Sequence, residues 1–528
     1  MYKDGKIAVG LAGDEELCLK LSMANRHGLI AGATGTGKTV TLKVLAESFS
    51  KAGVPVFIAD VKGDISGISE AAVINEDIQS RIDSLKISDY TPAACPTQFW
   101  DIYQSAGLPL RTTISEMGPL LLGKILELTD IQNAVLQLVF KIADDESLLL
   151  IDTKDLRAML AHVSQDSKKY SSEYGNISTQ TINAIIRAVV NLEGAGGESF
   201  FAEPALDIND VIARSPEGQG MINLIDCQKL ISSPVMYSTF LLWVLSEIYE
   251  KLPEVGDLDR PKLAFFFDEA HLLFKYSSKA LLEKIDQIVR LSRSKGIGIY
   301  FITQNPADIP DNILGQLQNR VQHALYAYTP AETKSVKTAA QAYRVNPAFD
   351  TYEAITTLEI GEALVSFLDE KGTPEIVNRC KIYPPLSNMG KISPESRDRQ
   401  LKSSLLYSKY LDAVDNPSAY EFLCRKNLEE EENQIKEKED LAKEKAEARE
   451  KEKQEKEKEK AAAKSASATD KAVKSATKSV ANSAAGTVGR EIGNTIGSAI
   501  GGSFGKRLGG NIGASLGRGI IGTLFKLK

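Results

Sequence analysis

The sequence predicts an α/β fold: a mostly parallel sheet flanked by helices, with a large helical insertion and a charged C-terminal tail, helical or disordered, that ends in a glycine-rich segment. Three observations predict it. Short apolar runs alternate with helical patterns from residue 1 to about 385, and strands apolar on both faces belong to sheets coated by helices. One such run, Leu29-Ile30-Ala31, leads into the loop Gly32-Ala33-Thr34-Gly35-Thr36-Gly37-Lys38-Thr39 and then an amphipathic segment. Between Asp60 and a strand pattern at 220, the apolar spacing is mostly helical.

The elements follow in order. Residues 28–31 read as a strand and 38–51 as a helix, with Val40, Leu42, Val44, Leu45 and Phe49 at helical spacing. The loop between them reads G-x-x-x-x-G-K-T, the pattern that grips a nucleoside triphosphate. Its glycines let the backbone fold tightly around phosphates with N–H groups pointing inward. The following helix turns its positive end on the same anion. All eight residues, Gly32, Ala33, Thr34, Gly35, Thr36, Gly37, Lys38 and Thr39, are therefore candidate nucleotide contacts. Lys38 neutralises the β and γ phosphates, and the Thr39 hydroxyl holds Mg²⁺.

Residues 54–60 form the next strand, expected beside the loop-bearing one. It ends in Asp60-Val61-Lys62-Gly63-Asp64. An acid there either faces the phosphates or a metal-bound water, or the segment is a turn built on Gly63. The insertion, about 65–215, holds helical patterns at 118–128, 130–143, 153–163 and 178–193. It serves as packing, or as a lid or subunit contact.

Further strands are expected at 220–226 and 262–267, around a helix at 234–252. The second is Leu263-Ala264-Phe265-Phe266-Phe267, followed by Asp268-Glu269. Carboxylates at the carboxyl end of a buried strand stand where open α/β sheets place ligands. Asp268 is the candidate Mg²⁺ ligand, and Glu269 the general base that polarises the attacking water. A helix at 279–295 carries Arg290, Arg293 and Lys295. Arg293 is the candidate for insertion into a neighbouring subunit's site, with Arg320 in reserve; solvated basic residues are the plainer reading. The strand 297–303 ends at Gln304, placed to sense the γ-phosphate or position the water, or simply to cap the strand. His27 and His271 flank the two motifs without metal-ligand spacing and read as structural. Strands at 321–328, 362–367 and 374–382 and a helix at 330–341 complete the domain.

A helical appendix is expected at 386–428. Residues 429–485 are first Glu/Lys/Ala-rich, then an Ala/Ser/Lys/Thr linker. They have no heptad seam and suit a solvated helix with i,i+4 ion pairs or a tether. In 486–528 glycine recurs every fourth residue from Gly489 to Gly517, each preceded by a large apolar residue such as Ile492 or Phe504. Small residues at this spacing suit close helix contacts or a membrane surface; a disordered tail is the third reading.

Composition narrows the class. The chain of 528 residues exceeds one small domain, and its net charge of −7 means that any nucleic-acid contact needs a local basic lining. Five scattered cysteines without a C-x-x-C pair argue against a zinc knuckle or a disulfide framework. No apolar signal core opens the chain and no span-length apolar stretch occurs before residue 480, so the cytoplasm is the expected location.

These motifs resemble the HerA/FtsK superfamily of ring ATPases. Residues 23–39, Ile309-Pro-Asp-Asn-Ile-Leu-Gly-Gln-Leu and Asn346-Pro-Ala-Phe-Asp-Thr are similar to its bacterial YjgR-type, HerA-helicase-like branch. The resemblance covers about residues 1–425. It implies a RecA-like ATPase core, use of ATP and Mg²⁺, homo-hexamers, and ATP-driven movement on double-stranded DNA. It also implies a trans role for the arginine eleven residues before the strand-end glutamine, here Arg293. HerA docks a nuclease through an N-terminal barrel, whereas only about 28 residues precede the loop here. A nuclease or membrane-surface partner then falls to the tail. The competing reading is an ATPase switch acting on protein or membrane without a DNA motor. A scaffold that binds nucleotide only to assemble is the third.

Overall fold

A computed structural model describes residues 1–467 except 257 and 276–278. The expected linker beyond 467 and the glycine-repeat tail lie outside the described residues. Met1–Glu432 form one compact unit. Its strands, in chain order, are β1 (Tyr2–Lys3), β2 (Lys6–Ala12), β3 (Glu15–Lys20), β4 (Gly28–Ala31), β5 (Val56–Asp60), β6 (Thr97–Asp101), β7 (Leu108–Pro109), β8 (Ile222–Asp226), β9 (Leu263–Phe267), β10 (Ile297–Thr303), β11 (Asn319–Gln322), β12 (Glu362–Ser366) and β13 (Asn378–Ile382). They join one sheet in the order β1-β2-β13-β12-β11-β4-β10-β9-β5-β8-β6-β7, with β3 paired to β2.

The block from β11 to β7 is parallel throughout. The strands from β11 through β12, β13 and β2 to β1 and β3 pair antiparallel. The sheet is thus mostly parallel, as expected. Period-two side-chain direction, with both faces buried, explains why β9 is apolar at every position. Leu263, Phe265 and Phe267 of β9 enter the core on one face, and Ala264 and Phe266 the core on the other.

The first face is covered by the insertion and by the helices Pro234–Lys251 and Lys279–Leu291. Leu136, Leu156, Ile185, Phe200 and Trp243 share its core with Phe265 and Phe267. The insertion helices are Ile114–Ile125, Asp130–Asp145, Thr153–Gln165 and Thr179–Leu192. Each starts at a side-chain N-cap: Thr113, Thr129, Asp152 and Ser178, which satisfy amide groups the first turn leaves open. The other face is covered by the helix Lys38–Lys51, through Leu42, Leu45 and Phe49.

Several details differ from expectation. Strand β5 does not lie beside β4, because β10 and β9 intervene. The stretch between Asp60 and β8 is not wholly helical: β6 pairs in parallel with β8 and widens the sheet. The chain before β4 forms the hairpin of β2 and β3 and the short β1, whose buried Ile7, Val9, Leu17 and Leu19 alternate with other residues. The strand expected at 321–328 ends at Gln322.

Residues 386–428 carry the helices Pro394–Ser403 and Tyr407–Tyr410 and the start of a long one. This segment is stitched to the domain. Leu386 N, Ser387 N and Ser387 Oγ donate to the buried Glu47 carboxylate at 2.8, 3.0 and 2.5 Å. Lys43 donates to Asn388 O at 2.6 Å. Arg111, itself buried, donates to Tyr410 O at 3.0 Å. The last helix, Ala419–Ser467, continues through the Glu/Lys/Ala-rich stretch, where Lys456 and Glu452 pair at i,i+4 spacing.

Candidate active site

Parallel strands deliver their carboxyl ends to one edge of the sheet, and the predicted residues other than Arg293 lie along it. β4 ends at Ala31 and the loop Gly32–Gly37 follows. Three neighbours pin that loop. Gly32 N donates to Thr303 O (3.2 Å) at the end of β10, Ala33 N to Ala324 O (2.8 Å) beyond β11, and Gly361 N to Thr36 O (3.1 Å) just before β12. A Cβ at Gly32 would stand 2.5 Å from His323 Cβ, so this close approach requires glycine. Gly37 caps the helix Lys38–Lys51 at φ 115°, and no side chain occupies the cap. The first-turn amides therefore remain available to an anion.

Lys38 Nζ donates to Gly32 O and Ala33 O at 2.7 and 3.0 Å. Burial lowers its pKa below that of an ordinary lysine, and Glu269 and Asp268 oppose the shift. Thr39 sits half-buried in the first helical turn, and Thr34 and Gly35 face solvent. Under the loop lies His323, which the sequence reading missed. Its Nε2 meets Thr41 Oγ1 and its Nδ1 meets Glu362 O, both at 2.8 Å. Burial lowers its pKa to about 4, so the ring is neutral: Nδ1–H donates to the carbonyl and Nε2 accepts from the threonine.

At the end of β9, Glu269 adopts φ 49°, a left-handed conformation that costs a non-glycine residue about 1–2 kcal/mol. Its carboxylate is gripped on both oxygens. Lys62 forms an ion pair with Oε1, His271 Nδ1 stands 3.2 Å from Oε2, and Gln304 Nε2 donates to Oε2 at 3.3 Å. Burial raises the Glu269 pKa, but the Lys62 ammonium outweighs it, and the group titrates below the usual glutamate value. Sequence reasoning placed Gln304 at this edge. It gave Lys62 no role, and it read His271 as purely structural, although His271 touches the candidate base.

Asp268, Asp60 and Asp64 offer carboxylate oxygens that lie within 4.8 Å of one another. The Asp60 contribution arises through β9, since Ala59 is the register partner of Phe267. Asp60 also accepts from Gly63 N (2.6 Å) and Ile65 N (3.2 Å), so the turn at Gly63 and the acid at the site are both present. Burial and neighbouring carboxylates, Glu269 and Asp60 foremost, push Asp268 up to about 7; burial and Asp64 push Asp60 up to about 7. Crowded, buried, all-oxygen donors of this kind suit a hard divalent cation such as Mg²⁺.

Arg293 does not join this cluster. It lies in the short helix Ser292–Lys295 ahead of β10, whereas Gln304 follows β10, so the strand's seven residues, about 23 Å, separate them. Arg320 points its guanidinium to Leu317 O, Leu314 O and Ala342 O, a structural arrangement that closes helix ends. His27 is structural as expected: its buried Nδ1 accepts from Ile299 N at 3.1 Å.

Comparison with known proteins identifies the family and a similar fold. The family described as "Helicase HerA-like C-terminal" matches residues 8–507. The "DNA double-strand break repair helicase HerA" of Sulfurisphaera tokodaii is 24% identical over 378 residues, which are 69% of this chain and 67% of that protein. The protein of the same description from Sulfolobus acidocaldarius is 22% identical over 427 residues, covering 78% and 77%. Among solved structures, the bacterial conjugative coupling protein TrwBdeltaN70 in its unbound monoclinic form is similar in fold. It is 15% identical, with a TM-score of 0.50 over 75% of this chain and 92% of that one. Among the described residues no helix is long and apolar enough to cross a membrane.

Proposed function

The chain belongs to the HerA-like helicase C-terminal family, and we propose that it is an ATP-hydrolysing ring motor that moves on double-stranded DNA. The observation that carries the chemistry is the meeting of three parts at one sheet edge: the loop Gly32–Thr39, the acids Asp268 and Glu269, and Gln304, which bonds Glu269. The family and the HerA relatives support the motor and its DNA track.

In this reading the loop amides and Lys38 hold the triphosphate. Thr39 and Asp268, with Asp60 and Asp64 beside them, hold Mg²⁺, which when bound screens phosphate charge. Gln304 and His271 orient Glu269. Glu269 accepts a proton from water as its oxygen adds to the γ-phosphorus and the bond to the β-bridging oxygen breaks, giving ADP and phosphate. Arg293, at the opposite end of β10 from its own site, serves the site of a neighbouring copy in a hexamer.

The test is the rate of ATP hydrolysis with and without duplex DNA across a salt series. A motor on DNA is stimulated by the duplex, and the stimulation falls steeply with salt as counterion release weakens binding. Turnover indifferent to duplex at low salt would overturn the DNA track and favour a switch acting on another partner.

A further inference from the structure

The Lys62–Glu269 pair has no counterpart in the plain assignment of base, metal ligand and phosphate loop. Lys62 stands two residues beyond β5, in a turn that is firmly held. Asp60 accepts from Gly63 N and Ile65 N, and Gly63, at φ 73°, packs against the Gln228 side chain. The backbone under Lys62 is therefore fixed, while its side chain stays 44% exposed and reaches across the end of β9 to Glu269 Oε1. Glu269, by contrast, is 4% exposed, and its other oxygen is taken by Gln304 and His271.

The charges of Lys62 and Lys38 oppose each other, and both are drawn to the Glu269 and Asp268 carboxylates. Their anchorage differs. Lys38 is bonded to the carbonyls of its own loop, whereas Lys62 is bonded to the group that must act as base. With Lys62 on the buried Oε1 and Gln304 and His271 at Oε2, the carboxylate has both oxygens engaged, so a water reaches it only when one of these partners leaves. A lysine, with three donors on a flexible stem, changes partners readily. A terminal phosphate, with more than one negative charge, competes with a single carboxylate for it.

We infer that Lys62 is a positioning residue shared between Glu269 and the γ-phosphate of ATP: it holds the base until a triphosphate draws it away, which links the release of Glu269 to the presence of the γ-phosphate. The inference rests on the reading of this pocket as an ATPase site. ADP, which lacks the γ-phosphate, does not recruit Lys62.

A binding cycle tests it. Affinities for adenylyl imidodiphosphate and for ADP are measured by titration calorimetry on the full chain, for wild type, Lys62→Met, Glu269→Gln and the double variant. Glu269→Gln frees Lys62 and raises the preference for the analogue over ADP by about tenfold, the scale of one charge-assisted hydrogen bond. Lys62→Met lowers that preference, Lys62→Arg restores it, and in the double variant the gain from Glu269→Gln disappears. ADP affinity stays within about twofold throughout, since ADP does not engage Lys62. Removing a carboxylate favours the analogue by itself, so the coupling between the two substitutions is the discriminating quantity. An equal effect of Glu269→Gln with and without Lys62 overturns the inference. Wild-type turnover in Glu269→Gln would instead overturn the assignment of the base, so the two failures are distinguishable.

Discussion

Replacing Glu269 by Gln tests the site most directly, because geometry separates its effect on chemistry from its effect on folding. Gln matches the shape of Glu, tolerates the same left-handed backbone, and keeps a carbonyl oxygen for the Gln304 amide. What it loses is the ion pair with Lys62, whose side chain is 44% exposed. Glu269 is 4% exposed, but Gln leaves no buried charge unpaired and Lys62 keeps its access to water, so the loss is about 1 kcal/mol. In a domain of this size that moves the melting temperature by less than about 3 °C. The catalytic loss is larger. General base catalysis contributes about 10²–10⁴-fold, which corresponds to about 3–5 kcal/mol of barrier. The expected result is turnover reduced at least about a hundredfold, with nucleotide still bound and the thermal transition intact. Coupled-enzyme ATPase rates and calorimetric melting, on one preparation, measure both. Turnover within about threefold of wild type would refute the assignment of the base. A collapse of the melting transition would refute the claim that the ion pair is marginal for the fold.

Three further outcomes follow from the same geometry. Gly32→Ala places a methyl 2.5 Å from His323 Cβ and 2.9 Å from Thr36 Oγ1. Overpacking costs about 1–3 kcal/mol, so fluorescent-ADP affinity should fall about ten- to hundredfold, and unchanged binding would show that the loop shifts freely. His27 is held neutral, its pKa lowered to about 4 mainly by burial, against 6.5 in the unfolded chain. Its stabilising contribution is complete above pH 6.5 and is lost as pH falls toward 4, by about 1.4 kcal/mol per unit. The stability of wild type minus that of His27→Asn, from urea titrations, should therefore decline across that window; a flat difference would mean the histidine charges freely in the fold. Mixed assemblies of Arg293→Ala and Lys38→Ala chains should recover part of the ATPase activity that each lacks alone, and no recovery in proven mixed rings would remove Arg293 from its role in trans.

Much of the fold was legible because strands buried on both faces leave uninterrupted apolar runs, as at Leu263–Phe267 and Ile297–Thr303. What escaped had weaker signals. β6 is only Thr97-Gln98-Phe99-Trp100-Asp101, polar at three of its five positions, inside a stretch dominated by helical spacing. The place of β5 could not be read from chain order, because crossover connections put β9 and β10 between it and β4. Within the site, motif spacing located Lys38, Asp268, Glu269 and Gln304. It could not locate His323, whose position beneath the loop comes from the pairing of β11 with β4. Nor could it show Lys62 reaching Glu269, since that contact joins the ends of two strands, β5 and β9, more than 200 residues apart in sequence.

The separation of Arg293 from its own loop has a consequence for assembly. The loop, Asp268 and Glu269 occupy the carboxyl edge of the parallel block, and Arg293 precedes the opposite, amino end of β10. If Arg293 completes a site, that site belongs to another copy, and the contact joins two different surfaces of the protein. Repeated in one sense, head to tail, that contact has no twofold axis. It either closes into a ring or runs on as a filament. A twofold dimer serves only if a single patch carries both the arginine and the loop, so that each meets its unlike counterpart on the other copy. An arginine acting in trans is therefore incompatible with a monomer that turns over ATP at the full rate. Light scattering of an ATPase-active preparation that showed only monomer would remove both the arginine in trans and the ring, while leaving the pocket of Lys38, Asp268 and Glu269 as a site within a single chain.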